Sequence, residues 1–218
     1  MDPKRRRSRP SAYGRGAGCG ARRTVTVDVE RLPGKTLKTG TKLYRIHWTS
    51  RAPWFFDGSG RGRFDPSRTP GRGACYWAED PLGAWVEVFR TRMLLAEGEI
   101  RARSLAVATL GHDVRVCDLT VRRALKAGVT TALTSGADYT GANALADAIQ
   151  SRYPAIRWRL RHDLRQKLVG IAWFGDAGPV EHPTLVTLPA TDSNDIPDDL
   201  AAHACRIFGY TVLPDPPS

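Results

Sequence analysis

The chain has 218 residues, 41% of them hydrophobic and 25% charged, with a formal net charge of +11. This is the composition of a globular protein long enough for one sizeable domain. No apolar run approaches a membrane span, and the basic start is not followed by the apolar core of a signal peptide.

The charge is unevenly placed. Residues 1–24 hold eight Lys/Arg and one acid, a net of +7, which leaves 25 basic and 21 acidic groups, a net of +4, on the rest. This stretch is rich in Gly, Pro and Ser, so it is expected to stay disordered as a solvated extension, non-specific binding to nucleic acid or acidic partners being the alternative. The domain is expected over residues 25–218. Cys19, Cys75, Cys117 and Cys205 form no C-x-x-C pair, and the five histidines have no metal-ligand spacing. Free thiols in a reducing cytoplasm, with no metal, are expected.

In chain order, "TVTVDV" (24–29) alternates apolar and polar residues as a half-buried strand would, and "KLYRIHW" (42–48) reads as a second strand. Residues 51–73 form a Gly/Pro/Arg-rich loop, long enough to suggest a function. "ACYWA" (74–78) is a short strand, and Asp80-Pro81 supplies an N-cap followed by proline at the first helical position. Leu82, Trp85, Val86 and Phe89 then recur at helical spacing. "RSLAVATL" and "VRVCDLT" (114–120) read as strands, and "VRRALKAG" as a short helix. "YTGANALADAI" reads as a helix with Ala142, Leu145, Ala146 and Ile149 on one side. "IRWRLR" (156–161), "KLVGIAWFG" (167–175) and "PTLVTLP" are strand candidates, and "DDLAAHACRIFGY" closes the fold as a helix capped by Gly209. The pattern is that of a single α+β domain.

On its helix Glu87 lies opposite Leu82 and Phe89, the side expected to face solvent, at about 100° per residue. It gains a role only if that side borders a cleft. Arg61, Arg63, Arg68 and Arg72 are equally open: guanidinium forks suit phosphate oxygens, yet loop arginines are common on surfaces.

The blocks "LYRIHW", "GRF", "ACYWAEDPLGAWVEVF", "VRVCDLT", "DYTGANALADAI", "IRWRLRHD" and "IAWFGD", taken in order over about residues 40–180, resemble those of the RES domain family. Arg45, Gly62-Arg63, Tyr76 and Glu87 carry the resemblance. It implies an ADP-ribosyltransferase-like fold and a bacterial toxin that degrades NAD and is neutralised by a protein antitoxin. NAD would be the substrate, with phosphate as co-substrate in phosphorolytic members, and no cofactor would be needed. By position, Glu87 would stabilise positive charge developing on the ribose. Arg45 and Arg63 would grip pyrophosphate or incoming phosphate, and Tyr76 would stack on a ring of NAD. A homo-oligomer is compatible with the resemblance.

The resemblance departs at one site position. Leu160, in "WRLR", stands where the family has a serine that would contact NAD. A leucine can neither donate nor accept a hydrogen bond. This leaves open a protein that binds NAD or ADP-ribose without turning it over, and the charge of residues 1–24 leaves open one that acts on nucleic acid through its tail.

Overall fold

The structure, a computed structural model, describes residues 27–90, 92–180, 191–193 and 195–215. Its centre is an eight-stranded mixed sheet. One half orders β1 (Gly34–Leu37), β7 (Val114–Asp118), β8 (Ala155–Arg159), β9 (Val169–Asp176) and β4 (Arg72–Ala78). The other half continues with β2 (Lys42–Trp48), β6 (Arg103–Thr109) and β11 (Thr191–Ser193). All neighbours are antiparallel except β7 and β8.

The sheet is nearly split in its middle. β4 pairs with β9 over seven residues and β2 with β6 over seven, yet β2 meets β4 only at Tyr44 and Ala78. Beyond that point the two strands diverge and leave a gap in the sheet. Helix α1 (Pro81–Phe89) returns over it. Asp80 caps the helix, its carboxylate accepting from Leu82 N at 2.8 Å, with Pro81 at the first position. Such a cap contributes about 1 kcal/mol.

Alternation along β4 divides its side chains between two cores. Cys75 and Trp77 pack with Trp54, Ile171 and Trp173 on one face. Tyr76 joins Phe64, Trp158, Leu160 and the apolar stripe of α5 (Thr140–Ile149) on the other. A third cluster lies under α1 and α6 (Asp198–Phe208), where Trp85 and Phe89 meet Ile46, Leu105 and Tyr210. Gly209 ends α6 in the left-handed conformation at φ 75°, which glycine adopts without steric cost.

Three short helices, α2 (Glu97–Arg101), α3 (Arg122–Lys126) and α4 (Thr131–Ser135), fill connections. Two small sheets complete the described chain. β3 (Phe55–Phe56) pairs with β10 (Gly178–Pro179), and β5 (Leu94–Ala96) with β12 (Thr211–Leu213). Among the described residues no helix is long and apolar enough to cross a membrane. Cys75, Cys117 and Cys205 are free thiols.

Most expected elements form. The exception is "TVTVDV", whose described end is no strand: Val29–Arg31 make a 3-10 turn. Val27 and Val29 pack against the α5 cluster and Asp28 N donates to Ala127 O at 2.8 Å, so the alternation serves a core edge without a partner strand. The loop 51–73 contains β3 and is tied to β4 by a bridge between Asp57 and Ala74. The strand expected in "PTLVTLP" and the basic tail 1–24 lie outside the described residues.

Candidate active site

The gap between β2 and β4, roofed by α1 and the loop 51–73, opens as a cavity of about 380 Å³. Small-molecule sites run from about 300 to 1,000 Å³. Tyr44, Arg45, Ile46 and Trp48 line it from β2, Ala74 and Tyr76 from β4, and Ala84, Glu87 and Val88 from α1. Glu87 therefore sits on the polar side of its helix, and that side borders the cavity. The face that periodicity assigns to solvent is here half-buried.

Arg63 lies opposite it. Its side chain is only 8% exposed overall, with Nη1 donating to Gly136 O at 2.8 Å and the guanidinium 4.5 Å over the Tyr139 ring. Among the described residues Nε and Nη2 make no hydrogen bond and remain for a ligand. Burial pulls the Arg63 pKa below its usual value, against the pull of Tyr139 and Glu87. Burial pushes the Glu87 carboxyl up to about 7, Arg90 and Arg63 only partly opposing it. The two side chains thus feel each other's charge across a partly desolvated space.

The turn that carries Arg63 is held from three sides. Tyr76 Oη donates to Asp65 Oδ1 at 2.7 Å and accepts from Phe64 N at 2.9 Å. Asp65 Oδ2 accepts from Gly62 N at 2.7 Å. Asn143 on α5 donates to Gly62 O at 2.9 Å and to Asp65 O at 2.8 Å. A Cβ at position 62 would lie inside van der Waals contact of both Asp65 Oδ1 and Tyr76 Oη, so only glycine lets the turn close. Burial, then Asp65, raises the Tyr76 hydroxyl well above its usual pKa and keeps it a neutral donor. Burial also raises Asp65, while the Tyr76 and Gly62 hydrogen bonds pull it down.

Tyr76 thus lines the cavity with a ring set edge-on to Trp158, centroids 5.9 Å apart, and its hydroxyl already engaged. Arg45 also lines the cavity, where it bridges the strand gap. Its Nη1 donates to Cys75 Sγ and to Tyr76 O at 3.4 Å, and its Nη2 to Phe55 O at 3.5 Å. It takes the place of a strand partner for β4, and its Nε is buried without a partner among the described residues.

Leu160 is not brought to the site. It is 1% exposed and fills a notch bounded by Gly83 of α1 and Gly170 of β9, where a Cβ would meet its methyl groups at 3.3 and 2.7 Å. The leucine thus packs α1 against the sheet. Arg61 lines the cavity, whereas Arg68 and Arg72 do not: the Arg68 backbone N donates to Asp147 Oδ2 at 3.0 Å, and the Arg72 side chain pairs with Asp176 at 2.8 Å.

Several lining residues carry no individual signal in the sequence. Arg51, Arg90 and the adjacent pair Arg161 and His162 reach the cavity from three different segments, and Tyr139 supports Arg63. Asn143 is the legible one, a polar residue beside the apolar stripe of α5 that is 7% exposed. Six arginines line the cavity against Asp57, Asp65 and Glu87, an excess that suits an anionic ligand. Burial, then Arg161, Arg90 and Arg63, lowers the His162 pKa. Among the described residues no group of three His, Cys, Asp or Glu could hold a metal ion.

Comparison with known proteins identifies the fold and the family. A model of the RES domain matches residues 42–191. A chain in the crystal structure of the M. tuberculosis MbcT-MbcA toxin-antitoxin complex superposes with a TM-score of 0.58 at 20% identity, covering 83% of this chain and 96% of that one. No curated protein matches by sequence. The matched span contains β2, the Arg63 turn, β4, α1 and α5, so that every wall of the cavity falls within it: the chain belongs to the RES domain family.

Proposed function

We propose that the protein cleaves the nicotinamide–ribose bond of NAD⁺ and acts as the toxin of a toxin–antitoxin pair. The observation that carries this reading is a partly desolvated carboxylate, Glu87, opposite a fixed arginine, Arg63, in an arginine-rich cavity. Nicotinamide leaves as a neutral molecule from a cationic ring, so no general acid is needed at that end. The barrier lies in positive charge growing on the ribose. An ionised Glu87 beside C1″ stabilises that charge most where water is displaced. The cationic ring of the bound substrate favours the ionised form.

Arg63 would hold the pyrophosphate through its unused Nε and Nη2. Tyr76 would orient the substrate with its ring, while its hydroxyl keeps the Arg63 turn in place. Arg161 adds charge and His162 a ring nitrogen at the same cavity, where an incoming phosphate would be held. Attack of phosphate at C1″ of the nicotinamide-side ribose gives ADP-ribose 1″-phosphate and nicotinamide, and attack of water gives ADP-ribose, nicotinamide and a proton. Membership in the RES family and the fold shared with a toxin–antitoxin complex support the toxin reading and a protein antitoxin as partner.

The test is incubation of the purified protein with NAD⁺, with and without phosphate, following nicotinamide and the ribosyl product by chromatography. Release of nicotinamide that is lost in Glu87→Gln is expected. Stable NAD⁺ under both conditions refutes cleavage. Leu160 favours a second reading, a protein that holds NAD or ADP-ribose without turnover, because the residue at the family's serine position is buried away from the cavity and leaves the ligand without that contact.

A further inference from the structure

Trp48 is the last residue of β2 and is 43% exposed at the wall of the cavity. One face of its ring is covered by Arg103, its direct partner on β6, with the guanidinium carbon 3.8 Å from the ring centroid. Arg103 does not line the cavity, so it backs the indole from the far side. It is itself fixed: only 7% exposed, paired with Glu99 at 3.3 Å, and 5.3 Å from the Phe89 ring. The indole is therefore held from behind while it borders the cavity in front.

We infer that Trp48 is a stacking platform for the adenine ring of the dinucleotide, a statement that rests on the NAD reading above. A planar, solvent-facing π surface held in place suits a flat heterocycle, because little side-chain freedom is lost on binding. The charge behind it selects which ring. Arg92 and Arg103 share one carboxylate, Glu99, so net positive charge remains at the back of the indole. A ring stacked in front, at about 3.5 Å, would lie roughly 7 Å from the Arg103 guanidinium across the 3.8 Å already measured. The cationic nicotinamide ring of NAD⁺ is repelled there, and the neutral adenine is not.

The experiment compares ADP-ribose, which carries adenine, with nicotinamide mononucleotide, which lacks it. Binding of each to the wild type, Trp48→Ala and Trp48→Phe is measured by calorimetry, with the NAD⁺ KM alongside. Trp48→Ala is expected to weaken ADP-ribose binding roughly five- to a hundredfold, to raise the NAD⁺ KM, and to leave nicotinamide mononucleotide unchanged. Trp48→Phe should recover most of the loss. Unchanged ADP-ribose binding in Trp48→Ala overturns this inference alone. A matching loss for nicotinamide mononucleotide overturns the choice of adenine. A wild type that binds neither compound overturns the NAD reading itself.

Discussion

Replacing Glu87 by Gln keeps the size of the side chain and removes its ionisation. In the folded protein burial raises the carboxyl from 4.5 to about 7. A carboxyl raised in this way holds its proton more tightly folded than unfolded, so it weakens the fold as pH rises. The penalty is absent below about 4.5, grows between about 4.5 and 7, and is complete above about 7. At about 1.4 kcal/mol per pH unit, that gap corresponds to roughly 3 kcal/mol. Glutamine never ionises and carries no such penalty.

The melting temperature of Glu87→Gln, relative to wild type, should therefore rise between about pH 5 and pH 8. At about 2–4 °C per kcal/mol for a chain of this size, the divergence is roughly 5–10 °C. Over the same range wild-type kcat/KM for NAD⁺ should climb through about pH 7, as the carboxylate forms. The variant should lose at least about a hundredfold in turnover. Thermal unfolding and nicotinamide release, both followed against pH, check the two halves together. Parallel melting curves would show that Glu87 is not desolvated in the fold, and full turnover in the variant would show that its charge plays no part in the chemistry.

Tyr76→Phe removes the hydroxyl that binds both Asp65 and Phe64 N; a stability loss of about 1–3 kcal/mol and a raised NAD⁺ KM are expected in denaturant titration and steady-state kinetics. Leu160→Ser opens the notch between Gly83 and Gly170 and should cost about 2–5 kcal/mol without a gain in turnover; higher NAD⁺ consumption at unchanged stability would contradict its placement in the core. His162 is held at a lowered pKa by burial and by Arg161, Arg90 and Arg63, so saturating phosphate should move its NMR titration to higher pH, and an unmoved titration would place the anion elsewhere. Deleting residues 1–24 should leave both melting temperature and NAD⁺ turnover unchanged, since the cavity walls all lie beyond them.

Local signals were enough for much of the fold and part of the site. Asp80-Pro81 specifies the start of α1 because a carboxylate cap and a preset φ act within one turn. The alternation in "KLYRIHW" and "ACYWA" and the stripe of α5 report burial at fixed periods, and Gly209 stops α6 through a conformation open to few other residues. The same local rules misread "TVTVDV", since alternation marks a buried edge whether or not a strand lies beside it. Resemblance singled out Arg45, Gly62, Arg63, Tyr76 and Glu87, but periodicity alone sends Glu87 to solvent.

What decides the matter is the gap between β2 and β4, a long-range event that no window of sequence contains. Pairing that stops after Tyr44 and Ala78 turns the polar side of α1 into a cavity wall, and it gives Arg45 an open strand edge to fill. Arg90, Tyr139, Arg161 and His162 come together there from segments far apart in the chain, so their charges sum only in space. Leu160 shows the converse. Its position matches the family's ligand-contacting serine, whereas two glycines on other elements, Gly83 and Gly170, leave a space that only an apolar side chain fills well, and the hydrophobic gain of closing it draws the residue into the core.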